Sequence, residues 1–235
     1  MTTAQPDRFA APALGGSATW RARLRARSAQ QSVTARQAVP GWTIVSAGLS
    51  PVLLVGAWLI ADARQPASYS PIRQTMSVLA GYAASDRWIM TGAVFLAGGC
   101  HLITASGLTA VSPSARILLV VAGVSAIGIA ASPEPVHGST PQHLAWTALG
   151  AATIAIWPAF VARRTAPRPL VLSAYSSVAV TVIFVALLGW VLIQTREGNA
   201  LGLAERITTT VQTSWPLVVA LAMKDSGTDS QTGAM

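Results

Sequence analysis

Pro169–Thr195, PLVLSAYSSVAVTVIFVALLGWVLIQT, is a run of 27 residues without Asp, Glu, Lys or Arg. As a helix rising ~1.5 Å per residue it outreaches the roughly 30 Å hydrocarbon core of a bilayer. Five more charge-free runs reach the spanning length of about 17–25 residues. They are Gln37–Ala61 (25 residues), Trp88–Ala115 (28), Ile117–Pro133 (17), Pro135–Ala162 (28) and Ile207–Met223 (17). The next longest gaps, Phe9–Trp20 and Gln74–Ser85, hold twelve residues each. The reading is an all-α polytopic bundle of six transmembrane helices, at about 42–61, 88–110, 115–133, 141–162, 169–193 and 203–223. The two 17-residue runs fall short of the core thickness, so Arg116 and Arg206 are expected to snorkel toward the interface.

Composition agrees. Of 235 residues 52% are hydrophobic and only 10% charged, with a mean hydropathy of +0.51. A soluble domain carries roughly a quarter charged residues, so a water-soluble globule is excluded. A single cysteine rules out an internal disulfide. Ser70-Pro71 and Thr140-Pro141 read as N-caps followed by proline at the first helical position, and Ser85 as the cap of the second span. Glycines within the spans read as close-packing surface.

The net charge is +8, and the placing of the basic residues bears on orientation. With the N-terminus inside, inner segments hold eleven basic residues and outer ones five, although without the N-terminal tail the balance is five against five. Both termini are expected in the cytoplasm of a cell that carries this protein as a multi-pass inner-membrane protein. Residues 1–41 read as a basic, mostly disordered tail without a cleavable signal, and 224–235 as a second disordered tail. Arg21, Arg23, Arg25 and Arg27 suit anionic inner-leaflet lipids, and no nucleic-acid partner is expected. A membrane-protein partner or a second copy of the chain remains open.

In this topology Asp62, Asp86, Glu134, Glu197 and Glu205 all lie in outer loops or at outer helix ends, with His137 and His143 beside them. The outer loop 62–87 contains Ile72, Met76, Leu79, Ala80 and Ala83 at helical spacing, which predicts a short interfacial helix. Glu205, Thr209, Gln212 and Pro216 form a polar stripe on span six that must face helices or water. The candidate pocket residues are therefore Ser77, Asp86, His137, His143, Glu205, Arg206, Thr209 and Gln212. A salt-bridged network through Arg206 or Arg87 is the alternative to a pocket. No cofactor is predicted; zinc on Glu134, His137 and His143 is a minority reading, because their spacing matches no zinc signature. His101, thirteen residues into span two, is expected to be a satisfied intramembrane histidine rather than a haem ligand, and Cys100 a small buried hydrophobe.

Three stretches resemble a bacterial and archaeal membrane family, domain of unknown function 998. They are Tyr69-Ser-Pro-Ile-Arg-Gln-Thr-Met-Ser77 leading to Asp86-Arg-Trp-Ile-Met90, Pro135–Leu149 around His143, and Gly202-Leu-Ala-Glu-Arg-Ile207. The resemblance covers about Trp42 to Met223, and implies a six-helix bundle with no established activity and no catalytic residues to carry across.

The functional reading is an integral membrane protein whose outward polar pocket binds or moves a small solute or lipid headgroup. One alternative is a membrane-embedded, metal-dependent or metal-free hydrolase or transferase at the outer leaflet, with His143 as base and Glu134 or Glu205 as its carboxylate partner. Another is a non-catalytic accessory subunit. No Walker loop, Gly-x-Ser-x-Gly, His-Glu-x-x-His or dinucleotide loop is present.

Overall fold

The computed structural model describes residues 20, 39–162 and 170–232, with side chains as far as Lys224. The basic cluster Arg21, Arg23, Arg25 and Arg27 lies outside the described residues. Seven α-helices are found among the described residues: α1 (Gly41–Asp62), α2 (Met76–Ala80), α3 (Trp88–Gly107), α4 (Pro113–Ala131), α5 (Pro141–Ile156), α6 (Ala174–Glu197) and α7 (Leu201–Thr232). A 3₁₀ turn, Trp157–Phe160, extends α5.

Local chemistry sets the helix ends. The side chains of Thr75, Ser112, Thr140 and Ser173 accept backbone N–H groups at the starts of α2, α4, α5 and α6, and proline follows directly at Pro113 and Pro141. Gly198, at φ 72°, closes α6 in the left-handed region that glycine adopts without strain. Several boundaries differ from those that charge spacing suggests. The charge-free run Trp88–Ala115 contains a turn, because the Ser112-Pro113 signal starts α4 before the charge is reached. Arg116 therefore lies inside the first turn of α4, where its Nε donates to Ala105 O at 2.9 Å. Ser70-Pro71 opens a turn rather than a helix, with Ser70 O accepting from the N–H of Arg73 and Gln74. Ser85 does not cap α3: Arg87 holds the N-cap position without a side-chain bond, and the Ser85 N–H donates to Gln65 Oε1. The interfacial helix is only one turn and a half long, with Met76, Leu79 and Ala80 buried. Helix α7 runs on through Thr232, so the tail expected after Lys224 is helical as far as that residue.

Consecutive long helices pack side by side, α1 on α3, α3 on α4, α4 on α5, α5 on α6 and α6 on α7, and α7 closes the ring on α1. Two apolar clusters hold it. One contains Leu108, Ala115, Leu119, Trp157, Leu172, Val219 and Met223, and the Trp157 indole N–H donates to Ala115 O at 2.8 Å. The other, Leu54, Ala57, Ala61, Met76, Leu79, Ala80, Met90, Ala93 and Ala97, fastens α2 onto α1 and α3. Helices α3 and α4 touch backbone to backbone: a Cβ on Gly98 would lie 2.6 Å from Gly123 O.

The distribution of polarity is that of a chain solvated by hydrocarbon. Thr43, Ser46, Ser50, Thr104, Ser125, Thr208 and Gln212 are buried, while Val45, Val52, Phe95, Ile103, Val178, Val182, Ile183, Leu192 and Ile193 face outward. Among the described residues five helices, α1, α3, α4, α5 with its 3₁₀ extension, and α6, are long and apolar enough to cross a membrane. Helix α7, the sixth long helix, is not among them, so five of the six expected spans meet that standard; its Thr208 and Gln212 are turned onto α6. Thr208 Oγ1 donates to Leu187 O at 3.3 Å and Gln212 Nε2 to Phe184 O at 3.2 Å. The protein is a multi-pass helical membrane protein.

Candidate functional site

Down-and-up threading brings the C-terminal ends of α1, α4 and α6 to the same end of the bundle as the N-terminal ends of α3, α5 and α7. The acids whose side chains are described, Asp62, Asp86, Glu134, Glu197 and Glu205, are all at that end. Its centre is the start of α2, which the apolar cluster under Met76, Leu79 and Ala80 holds in place. Adjacent residues of α2 reach two different helices. The Met76 N–H donates to Glu205 Oε2 on α7 at 2.6 Å. The Ser77 Oγ lies 3.0 Å from His143 Nε2 on α5.

His143 is held from both sides. Thr140 caps α5 by accepting the His143 N–H at 3.1 Å, which places the residue in the first turn with its ring 2% exposed. The ring Nδ1 is 2.7 Å from Ser132 O. A carbonyl oxygen only accepts, so Nδ1 carries the hydrogen; in the neutral ring Nε2 is then a lone pair that accepts the Ser77 O–H. Glu134 Oε1 approaches the same Nε2 at 3.7 Å. The loop bearing Ser132 and Glu134 is tied to the loop after α2, because the Tyr82 N–H donates to Glu134 O at 2.9 Å. Glu205 feels the charges of both Glu134 and Arg206.

Arg206, beside Glu205, faces the other way and is buried. Its Nη1 donates to Pro71 O (2.8 Å), Gln74 O (2.9 Å) and Gly202 O (3.1 Å). Its Nη2 donates to Asp62 Oδ1 at 2.8 Å and to the Tyr69 hydroxyl, which itself donates to Asp62 Oδ1 at 2.8 Å. The guanidinium also lies over the Trp58 ring, 4.9 Å from its centroid. Burial and the bond to Asp62 push the Tyr69 hydroxyl well above the usual tyrosine range, the Arg206 charge opposing. Arg206 thus staples loop 69–74 to α1 and α7. A Cβ on Gly202 would run into Gln74 O, so only glycine lets the loop approach this closely.

Ser77, Glu134, His143 and Glu205 therefore gather around the start of α2, with Arg206 behind them. The other candidates do not join. Asp86 pairs with Arg64 at 2.9 Å on the exposed surface. His137 is exposed, Thr209 is half-buried and Gln212 is turned to α6. Arg87 stacks on Trp88 and Tyr82 (3.9 and 4.8 Å) instead of joining a salt-bridged network. Among the described residues no group of three His, Cys, Asp or Glu is arranged to hold a metal ion, so the triplet Glu134, His137 and His143 is not assembled. Inside the membrane, Cys100 is buried and free, while His101 is only half satisfied: its Nε2 is 3.5 Å from Ser50 Oγ, and its Nδ1 has no partner.

Sequence reasoning missed Asp62 and Tyr69 as the partners of Arg206, and the Ser132 carbonyl behind His143. Only the first carried a signal, since Asp62 ends span one at the level where a buried Arg206 needs a counter-charge.

A family model described as a protein of unknown function, DUF998, matches residues 49–222. The chain belongs to the DUF998 family. The matched stretch takes in Asp62, Ser77, Glu134, His143, Glu205 and Arg206, so the whole cluster lies inside the DUF998 region. Neither the curated proteins nor the solved structures contain a match to this DUF998 chain.

Proposed function

We propose that this DUF998 protein uses the α2 end of its bundle to bind a small solute or a lipid headgroup, and that this end faces away from the cytoplasm of a cell membrane. The reading rests on one observation: Ser77, Glu134, His143 and Glu205, from four separate segments, meet at one place. Glu134 and Glu205 act on each other there, while the ion pair of Arg206 is with Asp62. Two partly buried carboxylates favour a partner that brings N–H donors and positive charge. The ligand class is therefore an amine, free or as an ethanolamine-type headgroup. In this orientation Arg21, Arg23, Arg25 and Arg27 meet the anionic inner leaflet, worth ~1 kcal/mol for each basic residue close to the surface.

The test is unfolding temperature in nanodiscs. Free ethanolamine stabilising the protein in phosphatidylcholine discs identifies a solute site. Stabilisation only in phosphatidylethanolamine discs identifies a headgroup site. Either effect should vanish in Glu134→Gln and Glu205→Gln. A wild type indifferent to both, or a response unchanged by both substitutions, refutes the reading. Flux of the amine in reconstituted vesicles that ignores Glu205→Gln refutes a transport role.

A further inference from the structure

The geometry points to Ser77 and His143 as a nucleophile and general base that cleave a carboxylic ester at the membrane surface. This proposal rests on the reading of the α2 end as a ligand site, and assigns the bound molecule a reaction.

Three observations carry it. The first is the linear arrangement of hydroxyl, imidazole and orienting acceptor, with Ser77 Oγ to Nε2 at 3.0 Å and Nδ1 to Ser132 O at 2.7 Å. A nucleophile within reach of a base, and a base aimed by a third group, is the arrangement that activates serine. The second is a contrast within the molecule. Ser106, Thr153, Thr181, Thr195, Thr213 and Ser214 satisfy their hydroxyls on carbonyls of their own helices, three or four residues back. Ser77 donates instead across 66 residues of chain to a buried ring nitrogen. The third is Glu134, whose carboxylate is 3.7 Å from Nε2, the atom that becomes positive when it takes the serine proton.

The setting indicates the substrate class. Ser77 is half-buried, and the loops and the start of α3 around it expose Ile72, Tyr82, Trp88 and Val136. The Tyr82 and Trp88 rings favour the headgroup layer, where the ester bonds of a glycerolipid also lie. An acylated lipid presented there meets the hydroxyl with its acyl chain still in the bilayer.

In the first step the Ser77 Oγ bonds to the ester carbonyl carbon and its proton passes to His143 Nε2. The carbon–oxygen bond to the alcohol then breaks, and the alcohol leaves with that proton. Water, or a second alcohol in a transfer reaction, adds to the acyl carbon while His143 Nε2 takes its proton. The bond to Ser77 breaks and the serine recovers the proton. The sum is ester plus water giving acid plus alcohol. Glu134, 3.7 Å from Nε2, takes no part in the proton transfers and stabilises the imidazolium.

The full-length protein, purified in lipid nanodiscs, is to be treated with a fluorophosphonate probe and the labelled peptide sequenced. The expected adduct is on Ser77, absent in Ser77→Ala, and formed ~100-fold more slowly in His143→Gln, the lower end of what a general base contributes. Ser77→Cys supplies a readout that a purely structural hydroxyl would not move. Its alkylation by iodoacetamide should proceed at a lower pH than that of Ser77→Cys combined with His143→Gln. Wild type that retains its unfolding temperature yet takes no probe at Ser77, or alkylation profiles that coincide, overturns the proposal. The amine response of the nanodisc assay separates the two ideas. If it persists without probe labelling, catalysis fails and binding stands; labelling without it leaves the serine chemistry and removes the amine ligand.

Discussion

Replacing Arg206 by methionine should cost the protein about 3–5 kcal/mol, because it strands a partly buried charge rather than deleting a surface pair. The structure permits an independent figure. The guanidinium makes five hydrogen bonds, to Pro71 O, Gln74 O, Gly202 O, Asp62 and Tyr69. Inside membrane proteins such bonds average ~0.6 kcal/mol, which for five gives about 3 kcal/mol. The two routes meet at the lower end of the range. Arg206→Lys keeps the charge but not the fork, so it should fall between wild type and Arg206→Met. Asp62→Leu combined with Arg206→Met removes both charges and should recover part of the loss, a coupling of at least ~1 kcal/mol. The assay is reversible unfolding in mixed micelles, titrating a denaturing detergent. A single-variant loss under about 1 kcal/mol, or strict additivity in the double variant, would refute the view of Arg206 as the staple of loop 69–74.

Two further outcomes follow from the same geometry. Tyr69 is raised above its ordinary value, so the folded state favours the protonated phenol; this contribution is complete below the unfolded pKa of about 10 and is lost as pH rises beyond it. Alkaline unfolding measured by circular dichroism should be less steep in Tyr69→Phe, and an identical alkaline limb in both proteins would contradict the placement of that hydroxyl. Thr140→Ala removes the cap that holds His143 in the first turn of α5, at a cost of about 1 kcal/mol, and should slow probe labelling of Ser77 without abolishing it. Labelling at the wild-type rate would show that the cap does not position the base.

The sequence made the class of fold legible because hydrocarbon imposes a one-dimensional rule: a crossing helix needs a long stretch without charge. The rule marks spans, not helix ends. It passed over the turn between α3 and α4, since Leu108–Ser112 contains no charge and the Ser112-Pro113 cap alone decides where α4 begins. It also took the polar residues of α7 as one stripe, whereas Glu205 turns to α2 and Gln212 to the carbonyls of α6. The site was legible by side: the five acids from Asp62 to Glu205 fall with His143 at one end whatever the helix order. Its pairings were not, because the bonds that define it join residues 66 and 144 positions apart. Two of its acceptors and donors, Ser132 O and the Met76 N–H, are backbone groups that every residue possesses.

The molecule contains its own control for the Ser77–His143 assignment, since a second serine–histidine approach lies within the membrane. Ser50 and His101 bring α1 and α3 together with 3.5 Å between Oγ and Nε2, and no acceptor orients the far nitrogen of the ring. Ser46 and Thr104, bonded at 2.8 Å, continue the same contact, so this seam is the interhelical polar packing expected where lipid offers no hydrophobic drive. Ser50 is fully buried and no carboxylate is paired with His101 among the described residues. Ser77 is half-exposed, with a shorter bond, a fixed tautomer and Glu134 nearby. Ser50 is buried beyond the reach of a probe, so the comparison is between the two histidines. Labelling of Ser77 that falls in His143→Gln and is unchanged in His101→Gln is the result that separates a reactive pair from a packing one, and an equal fall in both variants would assign the effect to packing instead of the site.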